Sequence, residues 1–239
     1  MAIALRYSLC ALVVLFVLQA SLSAQAAAAG YGDYPGFEVR YGSAVEDVTK
    51  GYRALVDNPT VIQTVTRQFA DPLTGITVLE GRGDAHVVFA IPIEAFAATL
   101  EVSDDQVKFA PGVLDARVEE RDGPRVIVYQ LVGTNFLGIK VAFPTRSEVV
   151  RDELPDGALG FRARLIESLD HRLYESYSSW YLLPITVDGK PMLYVRTYMC
   201  SGICNPFVGM ESLLRAFMPS QISNMFHNNL REARKRQAK

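Results

Sequence analysis

The chain has 239 residues, 49% of them hydrophobic and 21% charged, enough for one domain with an additional lobe. That composition excludes a disordered, collagenous or coiled-coil chain. With 24 Lys+Arg against 26 Asp+Glu the formal net charge is -2, which provides no global field to hold a phosphate backbone and argues against a nucleic-acid partner.

Residues 1–26 read as a secretory signal peptide. Arg6 supplies the positive start, Tyr7 to Leu18 an apolar run, and Ala24-Gln25-Ala26 a cleavage pattern. As a helix the apolar run spans about 18 Å, short of a hydrocarbon core of about 30 Å. The other reading is an uncleaved anchor. Cleavage places the mature chain in an oxidising compartment, the periplasm or a secretory route.

Residues 27–75 are expected to form an N-terminal helical lead. Residues 27–44, rich in Ala, Gly and Tyr, read as an extended lead, followed by helical spacing from Val45 to Val56, which Asp57-Asn58-Pro59 ends. Val61 to Phe69 offers a second short helix, and Asp71 to Gly75 a turn cluster.

The main domain is expected over 76–239. Ile76–Leu79 and Asp84–Ile91 carry β-branched and aromatic residues bounded by Gly, as strands do. Pro92–Glu101 reads as a helix with Ile93, Phe96, Ala97 and Leu100 on one stripe. A series of strands follows: Leu114–Arg121, Arg125–Val132, Leu137–Val150 with a bend at Pro144, Gly160–Leu169, Tyr174–Leu183 and Met192–Met199. Turn signals at Asp122-Gly123, Asp156-Gly157 and Asp188-Gly189 make this an antiparallel meander. From Met210 a long helix places Met210, Leu214, Phe217, Met218, Ile222 and Met225 on one stripe, with a kink expected at Pro219.

The fold class is therefore α+β. An antiparallel sheet has one apolar face to cover, a long amphipathic helix covers it, and a curled sheet leaves a cavity between them. This order resembles the helix-grip fold of the START/SRPBCC superfamily, which includes lipid-transfer domains and polyketide cyclases. The resemblance is most specific at Asn205-Pro206-Phe207-Val208-Gly209, at Leu213 to Gln221 and at Asn229-Leu230-Arg231. Ile91 to Phe96 resembles the superfamily's early helix. The Gly-Gly that commonly precedes the last helix is absent here.

Alternation along Phe161, Ala163, Leu165, Glu167 and Leu169 puts Glu167 among apolar neighbours, where a carboxylate needs a partner or a raised pKa. Met192, Tyr194, Arg196 and Tyr198 share one face of the last strand, so Arg196 is a candidate partner. The resemblance implies a charged pair in an apolar cavity, as in sterol-binding members. The opposing reading sends either residue to solvent through a bulge. Tyr174, Tyr177, Trp180 and Tyr181 supply aromatic surface, for a pocket or for ordinary packing. The ligand-binding set is thus Phe161, Leu165, Glu167, Tyr177, Tyr181, Tyr194, Arg196, Tyr198, Met210, Leu214, Phe217 and Met218. Access to the cavity would come from movement of the helix that contains Pro219.

Cys200 and Cys204 are the pair left after cleavage. They form either a disulfide across a tight turn, the reading an oxidising compartment favours, or two free thiols. No second Cys pair and no His pair at ligand spacing supports a metal site, and no cofactor motif occurs. His86, His171 and His227 lie on separate elements with no nucleophile elbow. The basic end, Arg231 to Lys239, suits either transient contact with anionic lipid or a solvated helix terminus. The expected function is an exported START-like protein that binds and carries a hydrophobic ligand, a lipid or sterol. The alternatives are a cyclase/aromatase-like enzyme with Glu167 as its acid or base, and a protein-binding module with a collapsed core.

Overall fold

The computed structural model describes residues 49–136 and 139–238, and turn chemistry sets where its strands begin and end. The signal-peptide and extended-lead readings, and Leu137, lie outside the described residues. Asp188 and Gly189 both have positive φ, +52° and +75°, the primed hairpin turn that matches strand twist. Asp156 and Gly157 also turn with positive φ.

Eight strands result: β1 (Thr60–Ala70), β2 (Thr77–Phe89), β3 (Val113–Asp122), β4 (Arg125–Phe136), β5 (Ile139–Glu153), β6 (Leu159–Ser168), β7 (Leu173–Val187) and β8 (Lys190–Cys204). They form a single curled sheet in the order β1-β2-β8-β7-β6-β5-β4-β3. Every neighbouring pair is antiparallel. Helix α1 (Ile93–Leu100) follows β2, and α2 (Met210–Gln237) follows β8. The meander, the early helix and the long last helix stand as expected.

The segment expected as a helix over Val61–Phe69 is instead strand β1, paired with β2 from Thr60↔His86 to Ala70↔Thr77. Its Thr60, Val61, Ile62, Thr64, Val65 and Thr66 are β-branched, and such side chains are stiff in a helix and favoured in a sheet. The sheet therefore begins before residue 76, and the helical character of 27–75 is confined, in the described part, to a 3-10 segment over Thr49–Leu55. The two strands expected at Ile76–Leu79 and Asp84–Ile91 are one strand that runs through Gly81 and Gly83.

Those glycines decide how the helix sits. A Cβ on Gly83 would lie 2.7 Å from Ile222 Cδ1, and one on Gly81 would lie 3.0 Å from Met218 Cε. The alternate residues Gly81, Gly83, Ala85, Val87 and Phe89 thus face α2. The core forms on that inner face from Phe89, Phe96, Leu159, Phe161, Leu182, Leu193, Val195, Ile222, Phe226 and Leu230. Helix α2 is continuous through Pro219. It packs on β1, β2 and α1, whereas α1 reaches β6 and β7. No helix among the described residues is long and apolar enough to cross a membrane.

Candidate functional site

Because α2 covers the β1–β2 side, the inner face of β4 to β7 is roofed by shorter elements. These are α1, the turn over Asp104–Lys108 and the C-terminal half of α2. Beneath them lies a cavity of about 300 Å³. Leu100, Val102, Val149, Phe161, Trp180 and Met225 give it apolar walls, and Gln106, Gln130 and Asn229 add polar edges. Gln130 Nε2 donates to Gln106 Oε1 at 3.0 Å, and Asn229 Nδ2 donates to the Met225 carbonyl at 3.0 Å. A smaller space of about 120 Å³ adjoins it, with Gln130, Val132, Ala163 and Ser178 bordering both. The total falls at the low end of small-molecule sites.

Of the residues expected here, Phe161 lines the larger space and Leu165 the smaller. Tyr177 borders the smaller space, but its hydroxyl shares a 3.3 Å hydrogen bond with that of Tyr198. Tyr194, Arg196 and Tyr198 pair in register with Val88, His86 and Asp84, the residues of β2 that alternate away from α2. They lie on the outer face, and Tyr181, paired with Arg196, shares it. Met210, Leu214, Phe217 and Met218 occupy the N-terminal half of α2. Leu214 and Met218 lie over Gly81, and none of the four borders either space.

The expected Glu167–Arg196 pair does not form. Two residues of β6 are spanned where β5 advances by one, between Arg146↔Glu167 and Ser147↔Leu165. This bulge turns Glu167 to the outer face, where it is 47% exposed and 3.3 Å from Arg146. Arg196 instead binds Asp84 with two parallel hydrogen bonds of 2.9 and 2.8 Å, and the two side chains are only 11% and 5% exposed. Burial and the Arg196 charge push the neighbouring His86 imidazole down to about 4, so it is neutral near pH 7. Tyr52, Leu55, Val88 and Tyr194 pack together at this end of the outer face.

The disulfide reading is also corrected. Cys200 and Cys204 are free thiols on one strand. Four residues of extended chain separate their Cα atoms by about 13 Å, beyond the roughly 7 Å a disulfide can bridge. Burial pushes the Cys200 thiol up to about 12, which leaves it unreactive.

One cluster among the described residues brings metal-ligating atoms together: Glu80, Glu175 and Cys200, all within 4.8 Å of one another. Its charge balance does not suit a cation. Arg67 donates to both oxygens of Glu80 at 2.9 and 2.8 Å, and Arg82 donates to it as well. Glu80 is buried, but these guanidinium groups hold its carboxyl down at about 2. Burial and the adjoining Glu80 push Glu175 up to about 7. The cluster reads as an internally compensated network. The basic end of α2 is likewise engaged: Lys235 and Arg236 pair with Glu232, and Arg236 donates to the Ala98 carbonyl at 2.6 Å.

The residues the sequence reading missed are Gln106, Gln130, Thr145, Ser147, Val149, Ser178 and Asn229. Thr145, Ser147 and Val149 alternate with the charged Arg146 and Glu148 on β5, register across the sheet brings Gln130 of β4 and Ser178 of β7 to the same face, and Gln106 and Asn229 come from the turn and helix above it.

No protein-family model and no curated protein matches the sequence. Solved structures do match. A STAR-related lipid transfer protein fragment from Xanthomonas axonopodis aligns with a TM-score of 0.52 at 13% identity, covering 71% of this chain and 98% of that one. Human StAR-related lipid transfer protein 5 aligns with a TM-score of 0.52 at 9% identity, covering 85% and 100%. Human STARD10 aligns at 0.50 and 9% identity, covering 72% and 76%. With an eight-stranded curled antiparallel sheet gripping a C-terminal helix, the chain has the helix-grip fold of the START-related lipid transfer domains.

Proposed function

We propose that the protein binds one hydrophobic molecule, a lipid or sterol, between the inner face of the sheet and helices α1 and α2, and carries it. The supporting observation is the cavity of about 300 Å³ walled by Leu100, Val102, Val149, Phe161, Trp180 and Met225. Affinity would come from apolar burial at about 25 cal/mol per Å². The lipid-transfer proteins that share the fold agree with this reading, and the leader pattern of residues 1–26 agrees with an exported carrier. No carboxyl or imidazole group borders either space among the described residues. Glu167, the acid or base of the cyclase-like alternative, lies on the opposite face.

The test uses the chain's single tryptophan. Trp180 lines the cavity and is half-buried, so an occupant changes its emission. Titration with cholesterol, 1-monolauroylglycerol and lysophosphatidylcholine is expected to give saturable quenching or a blue shift with at least one of them. Native mass spectrometry should show one bound molecule. A folded protein whose Trp180 responds to none of them, and that co-purifies with no lipid, would refute the proposal.

A further inference from the structure

The two adjoining spaces differ in chemistry. Hydrocarbon side chains predominate around the larger one, with Gln106, Arg162 and Asn229 at its edges, whereas Thr145, Ser147, Arg164 and Ser176 border only the smaller, and Gln130 and Ser178 border both. The smaller space exists because the sheet opens there. The β6–β7 ladder stops at Arg164↔Tyr177, although β6 runs on to Ser168 and β7 starts at Leu173. A register shift in each strand, at Leu165/Glu167 against β5 and at Leu173/Glu175 against β8, carries the strands apart. Along the facing edges the backbone N–H and C=O groups are not joined in a ladder, so they add hydrogen-bonding capacity to the hydroxyls.

Two of those hydroxyls are uncommitted. Thr145 donates to the Gln130 carbonyl at 3.0 Å, and Ser176 shares a 2.9 Å bond with Ser201. Ser147 and Ser178 make no side-chain hydrogen bond to another described residue, yet both border the space. Two arginines border these spaces, Arg162 the larger and Arg164 the smaller, and both are already engaged. Arg162 is held by Asp152 through two hydrogen bonds, one of 2.7 Å. Arg164 stands opposite Glu148 across the strands and has a partner of its own.

A cation brought here would meet the Arg164 guanidinium, and an anion would have to compete with the partner Arg164 already has, whereas a hydroxyl or ester would exchange water for serine, glutamine and backbone partners. We infer that the cleft between β6 and β7 is the head-group subsite for an uncharged amphiphile whose polar end carries hydroxyl or ester groups. Its hydrocarbon part runs toward Phe161, Trp180 and Met225. The inference rests on the reading of the larger cavity as a ligand site, and it names the class of ligand.

The experiment compares three probes of one chain length: neutral 1-monolauroylglycerol, anionic laurate and cationic dodecyltrimethylammonium. Each is titrated below micellar concentration at about pH 8, where the carboxyl of laurate is ionised, with Trp180 emission as the readout. The glycerol ester is expected to bind about tenfold more tightly than either ion. Ser147→Ala combined with Ser178→Ala is expected to erase that preference and leave binding of the ions unchanged. These two hydroxyls hold no other part of the protein, so the variant should melt as the wild type does. Ser147→Thr, which keeps the hydroxyl, should keep the preference. Equal or tighter binding of either ion, or a preference that survives in the double alanine variant, overturns the head-group assignment and leaves the cavity a ligand site. A Trp180 signal that answers to none of the three overturns the ligand site itself.

Discussion

Ala163 on β6 borders both spaces, so its side chain marks the passage between them. Ala163→Leu inserts three further carbon atoms there. A ligand that spans the passage is displaced by about three methylene groups, at about 0.8 kcal/mol each, or about 2.4 kcal/mol in all. That is roughly a 50-fold rise in Kd. The new side chain enters unfilled space, so the fold should be unaffected or gain about 0.5–2 kcal/mol, as cavity-filling changes do. Ala97→Leu supplies the contrast: Ala97 on α1 is fully buried in the core, and overpacking it should cost about 1–3 kcal/mol. The assay pairs a Trp180 titration of 1-monolauroylglycerol with a thermal melt of each variant. An Ala163→Leu protein that melts normally and binds with wild-type affinity would refute the assignment of this groove. One that melts as poorly as Ala97→Leu would show that no space is there to fill.

Asp84→Ala leaves Arg196 buried without its bidentate partner and should destabilise the fold by about 3–5 kcal/mol in urea unfolding; a loss below 1 kcal/mol would show the pair to be hydrated. His86 titrates at about 4 in the fold against 6.5 unfolded, with Arg196 and Asp84 beside it. Below pH 6.5 the unfolded chain takes up a proton that the folded one refuses. His86 therefore contributes nothing to the slope above 6.5 and costs up to about 3 kcal/mol as pH falls from 6.5 to 4. His86→Asn should flatten that part of the stability profile; an unchanged slope would place His86 in solvent. Glu175 has the opposite sign: its carboxyl is raised to about 7, so the stability it contributes at low pH is lost as pH rises from 4.5 through 7. Glu175→Gln should make stability climb more steeply with pH in that window. Cys200 and Cys204 should each bind a thiol reagent once the chain is unfolded without reductant, and a mass two hydrogens lower with no labelling would contradict the extended strand between them.

Much of the fold was legible because its punctuation is local. Asp188-Gly189 and Asp156-Gly157 carry the positive φ values that such pairs supply, and the α1 stripe of Phe96, Ala97 and Leu100 is buried as its spacing requires. The failure at β1 was a contest between two local signals. Val61, Val65 and Phe69 recur at helical spacing, but the β-branched run between Thr60 and Thr66 prevailed once β2 offered a partner.

The site was less legible because alternation assigns residues to two faces without saying which is inside. In most antiparallel sheets the apolar face answers that question, but β2 and β8 are buried on both faces. The outer one carries Glu80, Asp84, His86, Tyr194, Arg196 and Tyr198, which looks from the sequence like a pocket wall with polar groups set in it. The discriminating signal is smaller. Gly81, Gly83 and Ala85 at every second position make a shallow track that only a close-packed helix requires, and Ile222 and Met218 fill it. Those three residues fix the inner parity of β2, and pairing then fixes β8 through Leu193, Val195 and Met199, and β7 through Ser178, Trp180 and Leu182. The same pairing puts Tyr194, Arg196 and Tyr198 outside. The bulge before Glu167 breaks the chain of inference, since a single unpaired residue reverses every side chain beyond it. That bulge also lets β6 and β7 separate, so the irregularity that hid the cleft from sequence reasoning is the one that creates it.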